Sequence, residues 1–578
     1  MSERPLEGLT LPRWLDHGVG GVLALLHFVL VWVTLAGTGV PRDESFYFYA
    51  ADKAADWVEV ALDDDPQTSA FDRKHIDHGF KFNHEHPVLM KTLFGVSHRW
   101  LHEKWGWVDD HRSAYRLPTV MMASLAVWLT YLLGMMVAGR GAGVVAGLAL
   151  IAMPRVFFHS HLACFDAPVT FMWLAVVYTF VRGARSRRWG VASGVVLGLG
   201  LATKLNIFFL PFVLLGVAFV DTWSHRKRTG AWRTPKGTRG PLTYYSWIAV
   251  SMLILGPLVF LAHWPWLYYD TIKHLGFYIG FHAKHVNYPV DYFGTLYFDN
   301  QPYPMSLPFV LSLFTLPVVT LILAKIGGLV VFKRAWAQWR RPAESFAQWG
   351  DRRALELCVL VNLMVPFAII ALPNTPIFGG IKHWMPAMPF LAVCAGAGAI
   401  RLGRGMFAGR QAAQQRLLGA VVGGLMLIPG FWATLAYHPN GEAYYNALVG
   451  GPPGAASLRL SRNFWGYSTI DVLPYLNAHA DKGGLAFWHN ATGWAVDAYK
   501  RDGLLRQDIR NTGDWSPPYS DWGVYHDARE KLPEELDLWR AYGTDWPVEG
   551  SFVDGVQVMG LYHRSEPPKV PPVPEGGR

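Results

Sequence analysis

The sequence predicts a polytopic α-helical membrane protein of about eleven transmembrane helices, followed by a C-terminal extracytoplasmic α/β domain. Three observations carry this prediction. Of 578 residues, 51% are hydrophobic and only 16% are charged, which is too apolar for a soluble multidomain chain. Apolar runs approaching the roughly 20 residues that cross a hydrocarbon core recur along residues 1–437. Beyond Tyr437 those runs stop, and short strand-like and helix-like stretches alternate instead.

The first run, 20–37, is too long for the core of a signal peptide and has no small-residue cleavage site before Pro41, so it reads as an uncleaved anchor. Further spans are expected near 117–138, 141–154, 167–181, 190–203, 205–220, 244–262, 306–324, 354–372, 384–400 and 417–437. Every second connection is basic: Arg182 to Arg188, Arg226 to Arg239, Lys333 to Arg353, and Arg401 to Arg416. The positive-inside rule places those loops in the cytoplasm, together with the N-terminus. The loops 38–116, 155–166, 263–305 and 373–383 then lie outside, as does everything after Tyr437. The expected location is the cytoplasmic (inner) membrane of a bacterial-type cell, crossed many times.

Residues 438–565 carry strand-like GLAFWHNA, DWGVYHDA and VQVMGLYHR between helix-like DVLPYLNAHA, GWAVDAYKRDGLL and LPEELDLWRAYG, which together predict a small α/β domain. The Pro-rich end, 566–578, cannot bury a core and is expected to be disordered. The triplet Asn490-Ala491-Thr492 fits a glycosylation acceptor, a pattern that chance often supplies. Cys164, Cys358 and Cys394 sit in or beside apolar segments without paired spacing, so no disulfide framework or thiolate metal site is expected. The net charge of +9 arises from basic residues between spans, where topology places them, and nucleic-acid binding is not expected.

A charge at the centre of a spanning helix costs about 2.5–3.5 kcal/mol on insertion scales. Pumps keep such charges because they use them, yet here the acidic and His residues gather in the outer connections. PRDESFYFYAAD places Asp43 and Glu44 at the start of a helix-like stretch with Tyr47. The pair either supplies a general base at the water–lipid boundary or complements a helix dipole. KFNHEHPVLMK brings His84, Glu85 and His86 ahead of Lys91. Consecutive residues do not converge on a metal as i, i+4 helix ligands do, so these three are poor ligands, and Lys91 reads as an anion contact or an interfacial side chain. MPRVFFHSHLACFDAPVTF places Asp166 where the chain re-enters the membrane, as a helix cap or a functional acid.

Taken in order, these pieces resemble glycosyltransferase family 39 of the C-type membrane superfamily, which includes protein O-mannosyltransferases and the aminoarabinose transferases that act on lipid A. The resemblance rests on Asp43, Glu44 and Tyr47, then His86-Pro87 with Lys91, RLPTVMMASLAVWLTYLLG, and Asp166 after a His/Ser-rich turn. ATKLNIFFLP with Lys204 and IKHWMPAMPFLAV with Lys382 complete it. The chain departs from many relatives in carrying His-Pro-Val at 86–88 and Lys-His-Trp-Met-Pro at 382–386. YYNALVGGPPGA followed by NFWGYSTIDVLPYL is a pairing associated with bacterial members that bear an extracytoplasmic C-terminal domain.

The resemblance implies inverting transfer of a sugar from a polyprenyl-phosphate donor to a lipid, glycan or protein hydroxyl outside the membrane. A lipid phosphate is a good leaving group near neutral pH, so such chemistry needs one base and cations for the departing phosphate. Asp43 is the implied base. Glu44 would orient it or the acceptor, and Asp166 would position the acceptor or stabilise charge developing on the sugar. Lys91, Lys204 and Lys382 are the implied phosphate contacts, with His86 assisting and Tyr47 beside them. No cofactor is established by the sequence, and a divalent metal stays open, its ligands unknown. Two rivals compete with this reading. An oligosaccharide ligase or polymerase of the same superfamily would show an outer acidic metal cluster, and a transporter or scaffold with a sensory outer domain would show paired half-spans or buried ionisable relays.

Overall fold

A computed structural model describes residues 12–65, 67–229, 241–285, 288–297, 301–340, 353–373, 375, 377, 379–489, 493–513, 517–528 and 532–564. The Pro-rich tail, the Asn490 triplet and the basic stretches 230–240 and 341–352 lie outside the described residues. Each of the eleven expected spans coincides with helix. By length and apolarity six described helices can cross a membrane: Trp14–Gly37, His111–Ala138, Leu205–Ser224, Leu242–Ala262, Met385–Met406 and Ala412–Ala436. Two more apolar helices, Arg140–Ile151 and Leu355–Ile370, are shorter. The run expected at 306–324 is broken into Leu307–Thr315 and Val318–Arg340, because Pro317 cannot continue the helix that precedes it.

In chain order the site-bearing half is built from α1 (Trp14–Thr34), α2 (Arg42–Ala61), α3 (Arg73–Phe80) and α4 (Leu89–Val96). It continues through α5 (His111–Ala138), α6 (Arg140–Ile151), α7 (Pro154–His159), α8 (Asp166–Gly183) and α9 (Arg187–Leu201). Between α4 and α5 the chain makes a π-helical turn, Ser97–Lys104. Helix α5 starts where the Asp110 side chain accepts a hydrogen bond from the Ser113 N–H at 2.9 Å, and its 28 residues form the buried axis of the bundle. Tight helix contacts follow from small residues, as membrane packing requires without a hydrophobic drive between helices. A Cβ on Gly327 would meet the Cys394 carbonyl oxygen at 1.8 Å, so helix Val318–Arg340 lies directly against helix Met388–Met406.

The long connection 38–116 is not a loop in the structure. It folds into α2, α3, α4 and the π turn, with Ala51, Ala54 and Ala55 of α2 buried, Gly95 of α4 against Ala51, and Gly79 of α3 against Trp57. The connection 263–305 carries helix Thr271–Ala283 and a hairpin of β1 (Val290–Tyr292) and β2 (Thr295–Tyr297). Beyond Tyr437 a five-stranded mixed sheet has the order β4-β3-β5-β7-β6, formed by β3 (Leu485–Trp488), β4 (Arg510–Asn511), β5 (Trp522–His526), β6 (Glu549–Val553) and β7 (Val556–His563). β3 runs parallel to β4 and β5, whereas β7 is antiparallel to β5 and β6. β3, β5 and β7 are the strand-like stretches of the sequence, and β4 and β6 were not expected.

This unit docks on the 38–116 segment. Trp494 stacks on Tyr49 at 4.8 Å with ring planes 3° apart, and the Val40 N–H donates to the Tyr499 hydroxyl at 2.8 Å. Asp502 pairs with Arg112 at the start of α5, with both side chains buried.

Candidate active site

The approach to the site is set by two arginines one helical turn apart on α5. Arg116 is fully buried and donates from Nε and Nη2 to the two carboxylate oxygens of Glu44, each at 2.7 Å. Its remaining donors reach the carbonyls of Thr38 and Gly39 at 2.8 Å. Arg112 adds a contact to the Thr38 carbonyl at 3.0 Å. Glu44 also accepts the Ala163 N–H at 2.7 Å, which ties the 155–166 turn to the same clamp. Gly39 is needed here because a Cβ would lie 1.9 Å from the Tyr467 carbonyl oxygen. Every oxygen of Glu44 is thus engaged, and its neighbour Asp43 is left to face another way.

Asp43 is the more exposed of the two acids, with 31% of its side chain accessible, and Oδ2 lies 3.8 Å from Lys382 Nζ. Lys382 is nearly buried and sits over the face of Trp465, 3.6 Å from the ring centroid, with Phe464 at 4.9 Å. Burial draws the Lys382 pKa down to about 8, with Asp43 and Asp166 pulling it up and Lys204 adding to the depression. Asp166 begins α8, where the positive end of the helix dipole favours a carboxylate, and its Oδ1 accepts a hydrogen bond from Lys204 Nζ at 2.6 Å. Four of the eight residues named from sequence therefore share one neighbourhood: Asp43, Asp166, Lys204 and Lys382.

Tyr47, one turn beyond Asp43 on α2, is buried and packs on Phe165 with ring centroids 4.2 Å apart. Burial, then Asp43, raises its phenol well above the usual range, so it stays protonated. His86 closes this wall, 6.0 Å from the Tyr47 ring and 5.5 Å from Phe165. Burial, followed by the Lys91 charge, pushes its pKa well down, and the ring is neutral.

Lys91 is placed differently from the sequence expectation of an anion contact. Its ammonium donates to the carbonyls of Asn83 at 2.6 Å and His86 at 2.9 Å, and burial brings its pKa to about 7. It pins the turn that carries His86. Within that turn His84 contacts Trp266 and Phe277, Glu85 accepts from Asn83, and His86 faces Tyr47, so the three diverge.

The sequence reading missed the contribution of the C-terminal residues. Arg155 Nη1 donates to Glu442 Oε1 at 2.9 Å, and His159 Nε2 lies 3.5 Å from Glu442 Oε2. Trp465 stands edge-on to His159 at 5.7 Å and adopts a φ of +74°, a conformation costly for a bulky residue. Its carbonyl accepts the Arg42 N–H at 3.0 Å, which fixes the residue just before Asp43. The motif NFWGYSTID held the only local signal, through Gly466 beside a Trp.

The fold and this cluster define a multi-pass membrane protein with a partly buried, charge-paired site. A family model described as dolichyl-phosphate-mannose-protein mannosyltransferase matches residues 107–237, a segment that contains Arg112, Arg116, Asp166 and Lys204. The chain is similar to mannosyltransferase-like membrane glycosyltransferases in that segment, in agreement with the order of motifs along the chain. No curated protein matches the sequence. Among solved structures, ArnT from Cupriavidus metallidurans bound to undecaprenyl phosphate is 14% identical, covering 93% of this chain and 97% of that one, with a TM-score of 0.46. The oligosaccharyltransferase AglB from Archaeoglobus fulgidus, in complex with an inhibitory peptide and a dolichol-phosphate, is 11% identical over 92% of this chain and 72% of that one, also at 0.46.

Proposed function

We propose that the protein is an inverting glycosyltransferase that moves one sugar from a polyprenyl-phosphate donor to a lipid, glycan or protein hydroxyl on the extracytoplasmic face of the cytoplasmic membrane. The observation that carries this reading is Asp43: an accessible carboxylate 3.8 Å from a buried lysine, beside a second Asp–Lys pair. The acceptor O–H gives its proton to the Asp43 carboxylate as its oxygen bonds to the anomeric carbon from the face opposite the phosphate. The bond from that carbon to the phosphate oxygen breaks, and the electron pair leaves with the phosphate. Lys382 and Lys204 hold the charge that accumulates there. Asp166 holds Lys204 in place and offers negative charge to the sugar as it turns cationic. Glu44 acts through the Arg116 clamp by aiming Asp43, and Lys91 acts by fixing the His86 wall. The C-terminal unit contributes Trp465 beneath Lys382, and with it a route to acceptor recognition.

Reconstitution in liposomes with a panel of polyprenyl-phosphate sugars tests this. Transfer by the wild type and a loss of about 10²–10⁴-fold in Asp43→Asn are expected. Full activity of Asp43→Asn would remove Asp43 as the base, and no transfer from any donor would remove the donor class.

A further inference from the structure

A second cluster of functional side chains lies away from Asp43, on the other end of the 38–116 segment. His98 and His102 stand on successive turns of the π-helical segment Ser97–Lys104, and His111 opens α5 after a six-residue bend. One nitrogen from each of the three lies within 4.8 Å of the other two. His98 Nε2 faces His111 Nδ1 at 2.9 Å, close to the separation of roughly 3.3 Å that two nitrogens adopt on a tetrahedral zinc with metal–nitrogen bonds near 2.0–2.1 Å.

The outer nitrogen of His102 is arranged as a ligating imidazole requires. His102 Nδ1 faces the Val108 carbonyl oxygen at 2.7 Å, which leaves its Nε2 lone pair free to bind. The His98 ring is almost wholly buried, and its Nδ1 makes no hydrogen bond among the described residues. Two carboxylates flank that nitrogen, Asp52 at 3.6 Å and Glu103 at 3.9 Å, an arrangement suited to orienting a metal-bound histidine. Asp52 is fixed by the Tyr115 hydroxyl, and the His98 ring lies flat on Tyr115 at 3.9 Å. Arg99 and Arg501 lie nearby, but Arg99 is paired with Asp56, Glu59 and Glu103, and Arg501 with Asp52. π-helical turns recur at functional sites, and here the turn brings His98 and His102 to 5.3 Å between ring centroids.

We propose that His98, His102 and His111 bind one divalent transition metal ion of the zinc class, with the fourth position open to water. Three imidazoles suit zinc, and Asp52 would orient His98 as a ligand from behind. The ion cross-links the π turn to the first residue of α5. The backbone N–H of that residue donates to Asp502, so the metal also braces the docking of the C-terminal unit.

The test uses full-length protein in detergent, stripped with chelator and titrated with zinc chloride, with metal content measured by mass spectrometry and calorimetry. One zinc per chain is expected. His102→Ala and His111→Gln should each weaken binding at least 10-fold, a change these part-exposed positions tolerate. Cobalt in place of zinc should give a visible absorption band that both variants lose. Zinc retained at one equivalent by both variants, or none bound by the wild type, would overturn the proposal. Loss of zinc in Asp43→Asn with retention in His102→Ala would also overturn it, by moving the ion to the other cluster.

Discussion

Asp43 and Glu44 are consecutive acids in one helix turn, and their surroundings could hardly differ more. Glu44 is enclosed with Arg116 in a two-pronged pair, neither side chain reaching solvent, and a backbone N–H takes part of the same carboxylate. Asp43 keeps nearly a third of its side-chain surface accessible and meets its lysine only at 3.8 Å. A carboxylate whose hydrogen bonds are complete holds structure, while one whose bonds are incomplete is available for chemistry. The clamp and the open pair depend on each other, because the first decides where the second points.

The largest effect should come from the open acid. Asp43→Asn is expected to lower kcat about 10²–10⁴-fold while the melting temperature in detergent stays within experimental scatter. The closed acid should behave in the opposite way. Arg116→Ala strands Glu44 without its partner in the interior, and breaking a pair of this kind costs about 3–5 kcal/mol. Chemical denaturation should report that loss directly. If Arg116→Ala proves as stable as the wild type and loses only activity, the division between clamp and reactive acid fails.

Periodicity and composition were enough to find the long apolar helices, though not the short ones of the 38–116 and 263–305 connections. All eleven apolar runs are helical, and the three strand-like stretches of the tail became β3, β5 and β7. They were not enough to anticipate how the 38–116 segment packs, because its helices α3 and α4 are short and their burial is decided by contacts made far along the chain. The same limit applies to the site. Asp43, Asp166, Lys204 and Lys382 were readable from motif order, since each stands at a helix end beside a recognisable neighbour. Glu442 and Trp465 were not, because they reach Arg155, His159 and Lys382 across long sequence separations that leave no local pattern. His98 and His102 stand four residues apart, but His111 belongs to the next helix and leaves no local pattern with them.

Lys382 allows the open pair to be probed by pH. Its folded pKa lies near 8, so the ammonium is present below that value and is lost as pH rises through it. Donor KM should therefore rise by up to about tenfold per pH unit above the limb, with kcat less affected. Lys382→Arg keeps its charge throughout and should abolish the limb. A limb that persists unchanged in Lys382→Arg would assign the titration to another group.

Trp465 offers the finest adjustment. The ammonium sits 3.6 Å from its ring centroid, where attraction to the π face favours the charged lysine by about 0.5–2 kcal/mol. Trp465→Leu keeps an apolar side chain under Lys382 and removes that attraction. Since one pKa unit corresponds to about 1.4 kcal/mol, the alkaline limb should move to lower pH by roughly 0.4 to 1.5 units. The indole N–H makes no hydrogen bond among the described residues, so the substitution leaves no acceptor stranded. A shift to higher pH, or none, would mean that Trp465 acts on Lys382 through burial alone, and that the charge of the open pair is held by the two aspartates without help from the ring.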